Sequence, residues 1–196
     1  SHDLGTLITR IKLQLELMKN TKEIKSIKND INTMQVFLDE YLNYSKQSNA
    51  EKNSMVNINK LIKDVINTSI EIKSKIQITC KPDLMVKVYK NSLFRIIFNL
   101  LENASKFGNK IFVKVDFSNN LLRIDIHDDG PGVPEQYKKK IFRPFFKIDT
   151  SRNLNKSGSG LGLSIADELA NKMNGSINVS KSKKFKGSCF SIKLKT

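Results

Sequence analysis

Five of the nine glycines in this 196-residue chain fall between positions 130 and 162, in two clusters. The first reads Asp128-Asp129-Gly130-Pro131-Gly132-Val133 and the second Ser157-Gly158-Ser159-Gly160-Leu161-Gly162-Leu163. Glycine costs backbone entropy, so such clusters mark places where the main chain turns tightly or comes close to a ligand. The segment between them, Lys147 to Ser157, is rich in Ser, Asn and Lys and reads as a flap between two ligand-touching turns. The second cluster runs into the amphipathic stretch Leu161 to Ala170, so free N–H groups at a helix start face whatever the flap covers. Phosphate is the natural occupant of such a site. An ordinary glycine loop is the plainer reading of that cluster taken alone. Asp128 narrows the choice, because a carboxylate at the end of the apolar strand Leu121 to Ile126 can accept from an exocyclic amine such as that of adenine. The dinucleotide fingerprint is excluded, since no early strand carries it.

Two other groups could share in this chemistry. Asn99 and Asn103 stand four apart in the apolar stretch Asn91 to Phe107, so their amides share one helix face, with Lys106 close by. Asparagine is a poor helix-interior residue, and two on one stripe ask for a reason. They could hydrogen-bond neighbouring loops; as chemistry, an amide oxygen suits magnesium and the lysine neutralises phosphate. At the other end of the chain, His2-Asp3 starts a helical pattern with Thr6 one turn on. The pair is either a solvated helix start or a nucleophile with an adjacent proton acceptor, with the Thr6 hydroxyl able to orient a water.

The elements that position these groups follow from periodicity. Leu4, Ile8, Ile11, Leu15 and Met18 form the seam of one helix, and Ile24, Ile27, Ile31, Met34, Leu38 and Tyr41 that of a second. A few residues join them, so the helices must form an antiparallel hairpin, and two hairpins from two chains would complete a four-helix bundle. Tyr44 to Asn53 is polar and poorly periodic and reads as a linker and domain boundary. Beyond it come a short strand at Met55 to Ile58, a helix capped by Asn59 and running to about Lys73, and strands at Ile76 to Cys80 and Leu84 to Val88. The helix Asn91 to Phe107 follows, then the hairpin Lys110 to Phe117 and Leu121 to Ile126 around Ser118-Asn119-Asn120. A helix from about Gly160 to Asn174 and strands at Ser176 to Ser180 and Ser188 to Leu194 close the chain. This order predicts α+β: a mixed sheet covered by helices on one face, an α/β sandwich with the glycine turns at its rim.

Composition bounds the rest. At 39% hydrophobic and 27% charged the chain is globular in character, and no run approaches the length needed to span a bilayer. The first residue is Ser with a helix already running, so the chain reads as a piece of a longer protein. Lys and Arg exceed Asp and Glu by 34 to 19, a net +15. That permits an anionic partner, but the lysines are scattered, so no nucleic-acid interface is expected. Cys80 and Cys189 lie in strand-like stretches without ligand spacing and read as buried thiols.

Taken in order, Ser1-His2-Asp3-Leu4-Gly5-Thr6, Asn99 to Phe107, Asp128 to Gly132, Phe142-Arg143-Pro144-Phe145 and Gly158 to Leu163 resemble the phosphoacceptor, asparagine, first glycine, phenylalanine and second glycine boxes of sensor histidine kinases. The resemblance covers essentially the whole chain and is nearest to the osmosensor, EnvZ-like branch. It implies a dimerisation and phosphoacceptor hairpin over residues 1–50, truncated at its amino end, a linker over 51–53, and an ATP-binding domain of the gyrase and histidine kinase superfamily over 54–196. It implies that His2 takes the γ-phosphoryl group of ATP and passes it to a response-regulator aspartate, with Asp3 accepting the proton and Thr6 positioning water for a phosphatase reaction. Asn103 would bind magnesium, Lys106 a phosphate, Phe107 would lie against the nucleotide, and Asp128 would read adenine. Asn99, Gly130 and Gly132 would line the nucleotide. Gly158, Ser159, Gly160, Leu161, Gly162 and Leu163 would wrap the phosphates, and Lys147 and Arg152 would lie on the lid. The partners implied are a receiver domain and a second copy of the chain. The location implied is the cytoplasmic side of a bacterial plasma membrane, with attachment through upstream segments.

Related ATPases of the superfamily place a glutamate where this chain has Asn99, and an amide cannot be the base that activates water. Transfer to a protein group is therefore the better reading than hydrolysis. Two departures from the resemblance bear on activity: Gly5 stands where Arg is usual, and Leu7 where Pro is usual. Gly5 loosens the helix by about 1 kcal/mol relative to alanine, and the missing proline removes a kink beside His2. An altered balance of kinase and phosphatase activity is expected, and a degenerate scaffold is the non-enzymatic rival.

Overall fold

The computed structural model describes residues 2–18, 21, 24, 27–28, 31, 51–69, 72, 75–148 and 160–196, with the backbone alone for 2–6. The chain divides into two compact units, Ser1–Ala50 and Glu51–Thr196.

In the first unit, helix α1 spans His2–Glu16. Leu15 is buried, while Leu7, Ile11, Leu13 and Leu17 are exposed, so α1 shows solvent much of its apolar surface. The backbone at Ile24, Ile27, Lys28 and Ile31 is helical, and the Ile24 N–H donates to Thr21 Oγ1 at 3.3 Å as an N-terminal cap would. Lys28 Nζ stands 3.1 Å from Glu16 Oε1. The rest of the expected second seam, and the expected linker up to residue 50, lie outside the described residues.

The second unit is built on a five-stranded sheet. Its strands are β2 (Ile76–Thr79), β4 (Ile111–Ser118), β5 (Leu121–Asp128), β6 (Gly175–Lys181) and β7 (Ser188–Lys195), in the order β2-β4-β5-β7-β6. Only β2 and β4 run parallel; the other neighbours are antiparallel. The strands β1 (Ser54–Asn57) and β3 (Met85–Val88) stand apart as a two-stranded antiparallel ribbon, which corrects the expectation of one sheet. Among the described residues the helices α2 (Ile58–Asn67), α3 (Lys90–Phe107) and α4 (Gly162–Lys172) join them. In α2, Ile58, Leu61, Ile62, Val65 and Ile66 form one buried stripe that packs on α3. Helices α3 and α4 pack on each other and on the sheet.

Several boundaries differ from the sequence expectation for local reasons. The cap of α2 is Asn57, whose side chain accepts the Lys60 N–H at 2.9 Å, while Asn59 is buried within the helix. The helix stops at Asn67, where the Thr68 hydroxyl donates to the Val65 carbonyl and competes with the helical ladder. The β4–β5 loop is only Asn119 and Asn120, because Ser118 already pairs with Leu121. Both loop residues have positive φ, 50° and 55°, as a two-residue hairpin turn demands. Strand β5 runs two residues past Ile126, so Asp128 is paired with Ile111 and shares a face with Leu122, Ile124 and Ile126.

Candidate active site

Asp128 closes the apolar face of β5 and is 4% exposed. Its Oδ1 accepts the Gly130 N–H at 2.9 Å and the Ser188 N–H at 3.1 Å. Both donors fall on one oxygen, so among the described residues Oδ2 keeps its lone pairs for a ligand. Burial raises the Asp128 pKa, and the two N–H groups oppose that rise. Gly187 lies directly on this turn: a Cβ there would strike Asp128 Oδ1 and come within 2.6 Å of the Gly130 nitrogen. Asp129 points elsewhere, its Oδ1 accepting the N–H groups of Asn109 and Lys110 at 2.6 and 2.9 Å. These bonds, that of Lys110 foremost, lower its pKa and tie the turn to the carboxyl end of α3.

Helix α3 carries the rest of the polar set. Asn99 is buried, and its Nδ2 donates to the Gly162 carbonyl at 3.0 Å, clasping α3 to the first residue of α4. Asn103, one turn on, is half-buried and has no partner among the described residues. Lys106 is half-buried, and burial lowers its pKa; Glu102 pulls it back up and Lys147 pushes it further down. Lys147 is thus near enough to act on Lys106, and two neighbouring cations suit an anion. Phe107 is 47% exposed beside Lys106, whose Nζ lies 5.8 Å from the ring centroid.

The segment before the second glycine cluster is anchored by rings. Phe142 meets the core residue Phe190 edge-on, with centroids 6.5 Å apart. Phe145 is exposed and has φ of 64°. Its N–H donates to the Gly160 carbonyl at 3.0 Å. Gly160 has φ of 77°, and a Cβ there would come 3.0 Å from Phe145 Cα, so glycine is required at this crossing. Gly162 is helical with ordinary spacing around it, so α4 begins two residues later than expected. Among the described residues no side chain caps α4 at its amino end.

The structure thus brings Asn99, Asn103, Lys106, Phe107, Asp128, Gly130, Gly132, Gly160, Leu161, Gly162 and Leu163 onto the ends of α3, β5 and α4 within one unit, with Lys147 beside Lys106. Arg152, Gly158 and Ser159 lie outside the described residues. His2, Asp3 and Thr6 occupy the first turns of α1, with their side chains outside the description. Sequence reasoning missed Gly187, Ser188 and Asp129. It also gave Glu51 to the linker, whereas the Glu51 carboxylate caps α3 by accepting the Asn91 N–H, the Ser92 N–H at 3.0 Å and the Ser92 hydroxyl at 2.7 Å. Only the paired Asp128-Asp129 could have signalled any of these. Half-buried Asn103, without a partner among the described residues, the Lys106 and Lys147 cations and the open Oδ2 of Asp128 fit a magnesium nucleotide.

Residues 89–196 match the family of histidine kinase-, DNA gyrase B- and HSP90-like ATPases. The chain is 28% identical over 180 residues to the sensor histidine kinase GtrS of Pseudomonas aeruginosa, an alignment covering 91% of this chain and 37% of that protein. It is 40% identical over 96 residues to the histidine protein kinase SaeS of Staphylococcus epidermidis, covering 46% of this chain and 27% of that protein. The matched part therefore spans 37% of the length of the first of these curated relatives and 27% of the second. Among solved structures, the catalytic domain of histidine kinase ThkA is similar at a TM-score of 0.63 and 27% identity, over 74% of this chain and 95% of that one.

Proposed function

The chain belongs to the family of histidine kinase-, DNA gyrase B- and HSP90-like ATPases, and from that premise we propose that it is the transmitter of a two-component sensor histidine kinase. In this reading residues 1–50 are the dimerisation and phosphoacceptor hairpin, paired with a second copy in a four-helix bundle, and residues 54–196 are the catalytic domain. His2 attacks the γ-phosphorus of ATP; a nitrogen–phosphorus bond forms, the bond to ADP breaks, and Asp3 takes the imidazole proton. The phosphoryl group then passes to an aspartate of a receiver domain, and Thr6 orients the water that later removes it. Asp128 Oδ2 accepts from the adenine amine, Phe107 covers the base, and Lys106 and Lys147 neutralise phosphate. Asn103 holds magnesium, which when bound spreads the phosphate charge. Among the described residues no helix is long and apolar enough to cross a membrane, and attachment through segments outside this chain belongs to the same proposal.

The observation that carries transfer over hydrolysis is Asn99. It is a buried amide spent on the Gly162 carbonyl, and it offers no carboxylate to activate water. The test incubates the protein with γ-labelled ATP and magnesium. Acid-labile, alkali-stable label on the protein, absent in His2→Gln, is expected. Free phosphate released equally by both proteins, with no label on either, would instead mark a hydrolase.

A further inference from the structure

The sheet face opposite the helices carries a continuous chain of polar groups. The Ser182 hydroxyl oxygen accepts the Phe185 N–H at 2.9 Å and the Lys184 N–H at 3.3 Å. Both lone pairs are then in use, so its own hydrogen is free only to donate, and His127 Nδ1 lies 3.1 Å away. This assigns the neutral ring with its hydrogen on Nε2, facing Cys189 Sγ at 3.7 Å. Further along, the Ser191 hydroxyl donates to Asp125 Oδ1 at 2.6 Å, which leaves its oxygen to accept from the Cys189 thiol at 3.7 Å. Asp125 also takes Arg123 Nε at 2.9 Å. Every donor points the same way, from the loop through His127 to a carboxylate. His127, Cys189, Ser191, Asp125 and Ser182 are each at most 8% exposed.

The loop at the head of this chain is the one that seats Asp128. Residues 182–187 join β6 to β7, and the Ser182 N–H closes the loop on the Gly187 carbonyl at 2.9 Å. Gly187 rests on the Asp128–Gly130 turn, and Ser188 donates to Asp128 Oδ1. We propose that His127 is a proton-operated positioning residue for adenine. A proton on Nδ1 removes the acceptor of the Ser182 hydroxyl and sets a second hydrogen against it. The 182–187 loop then loosens, and Asp128 is no longer held for the base. The inference rests on the reading of Asp128 as the adenine acceptor.

The groups facing His127 set where it titrates. Burial is the largest influence and keeps the imidazole below its ordinary range; Asp125 and Asp128 favour the proton, and Arg123 and Lys114 oppose it. From β4, Phe112 lies against the ring at 5.9 Å, with Lys184 Nζ 4.8 Å above Phe112; from β7, Cys189 stays a thiol because burial raises its pKa. Loss of binding therefore sets in below about pH 6.5, the ordinary imidazole value.

The experiment measures affinity for ADP with magnesium between pH 8 and pH 5, in the parent chain and in His127→Asn. The Asn carbonyl stands near the place of Nδ1 and takes no proton. The nucleotide's own phosphate titrates alike in both proteins, and Ser182→Ala keeps the electrostatic coupling of His127 to Asp128 that His127→Asn removes. The parent is expected to lose about fivefold more affinity across the range, the size of one ordinary hydrogen bond. Ser182→Ala should lower affinity by a similar factor at pH 8 and remove the extra pH dependence. Superimposable profiles for the parent and His127→Asn overturn the proposal. Should His127→Asn fail to fold, a Ser182→Ala profile as steep as the parent's overturns it equally. Absence of ADP binding at pH 8 overturns the nucleotide reading, and the inference with it.

Discussion

On the sheet face that meets α3 and α4, β5 presents Leu122, Ile124 and Ile126 and β7 presents Phe190, Ile192 and Leu194, none more than 1% exposed. On the other face the same strands present Arg123, Asp125 and His127, and Cys189, Ser191 and Lys193. Alternation along a strand lets one sequence serve both surfaces. The apolar face supplies non-directional stabilisation, proportional to area and indifferent to pH. The polar face contributes less net stability, but its bonds have direction and can be switched by a proton. Asp128 is the charged residue that ends the apolar face of β5, and donors from the first glycine turn and the start of β7 hold it there.

Four substitutions or conditions test this contrast, the largest effect first. Phe190→Ala should cost about 3–5 kcal/mol in denaturant unfolding, because it leaves a cavity and frees Phe142. Ser191→Ala on the opposite face should cost about 1–2 kcal/mol, since Arg123 still serves Asp125. Equal losses for the two would erase the distinction between the faces.

Asp128→Asn should weaken ADP binding by roughly 10- to 100-fold, the worth of a hydrogen bond to a charged acceptor, because an amide N–H would then face the adenine amine. The fold should be retained, or its melting temperature raised at neutral pH. Oδ1 still accepts from Gly130 and Ser188, and the ionised carboxylate, whose pKa burial raises, no longer has to be kept there. A melt that collapses in Asp128→Asn would mean that the residue is structural before it is a ligand.

The smallest effect is on stability against pH. Burial lowers the His127 pKa, so the unfolded chain binds a proton near pH 6.5 that the folded chain resists. The contribution is complete above that value and is lost as pH falls through the folded pKa. Unfolding at pH 7.5 and pH 5.5 should show a drop that shrinks in His127→Asn. A drop of the same size in both proteins would remove His127 from the account.

The glycine pairs, the Asn99 and Asn103 stripe and the helix around them were legible because each states a local requirement: a turn, a close approach, or a shared helical face. The two-residue Asn119-Asn120 turn and the boundaries of α2 were misread by one to several residues, since side chains at Asn57 and Thr68 compete for backbone groups over that short range. Partners distant in sequence left little trace. Glu51 on α3, Gly187 and Ser188 on Asp128, and Ser182 on His127 are separated by 40 to 60 residues or nearly so. The sequence alone determined, to within a few residues, which of the described segments are helix, strand and tight turn, because periodicity and backbone freedom are properties of neighbours. The tertiary structure decided which oxygen of Asp128 is left open and which histidine nitrogen is an acceptor. Those depend on strand register, where a slip of one residue would turn every side chain to the other face.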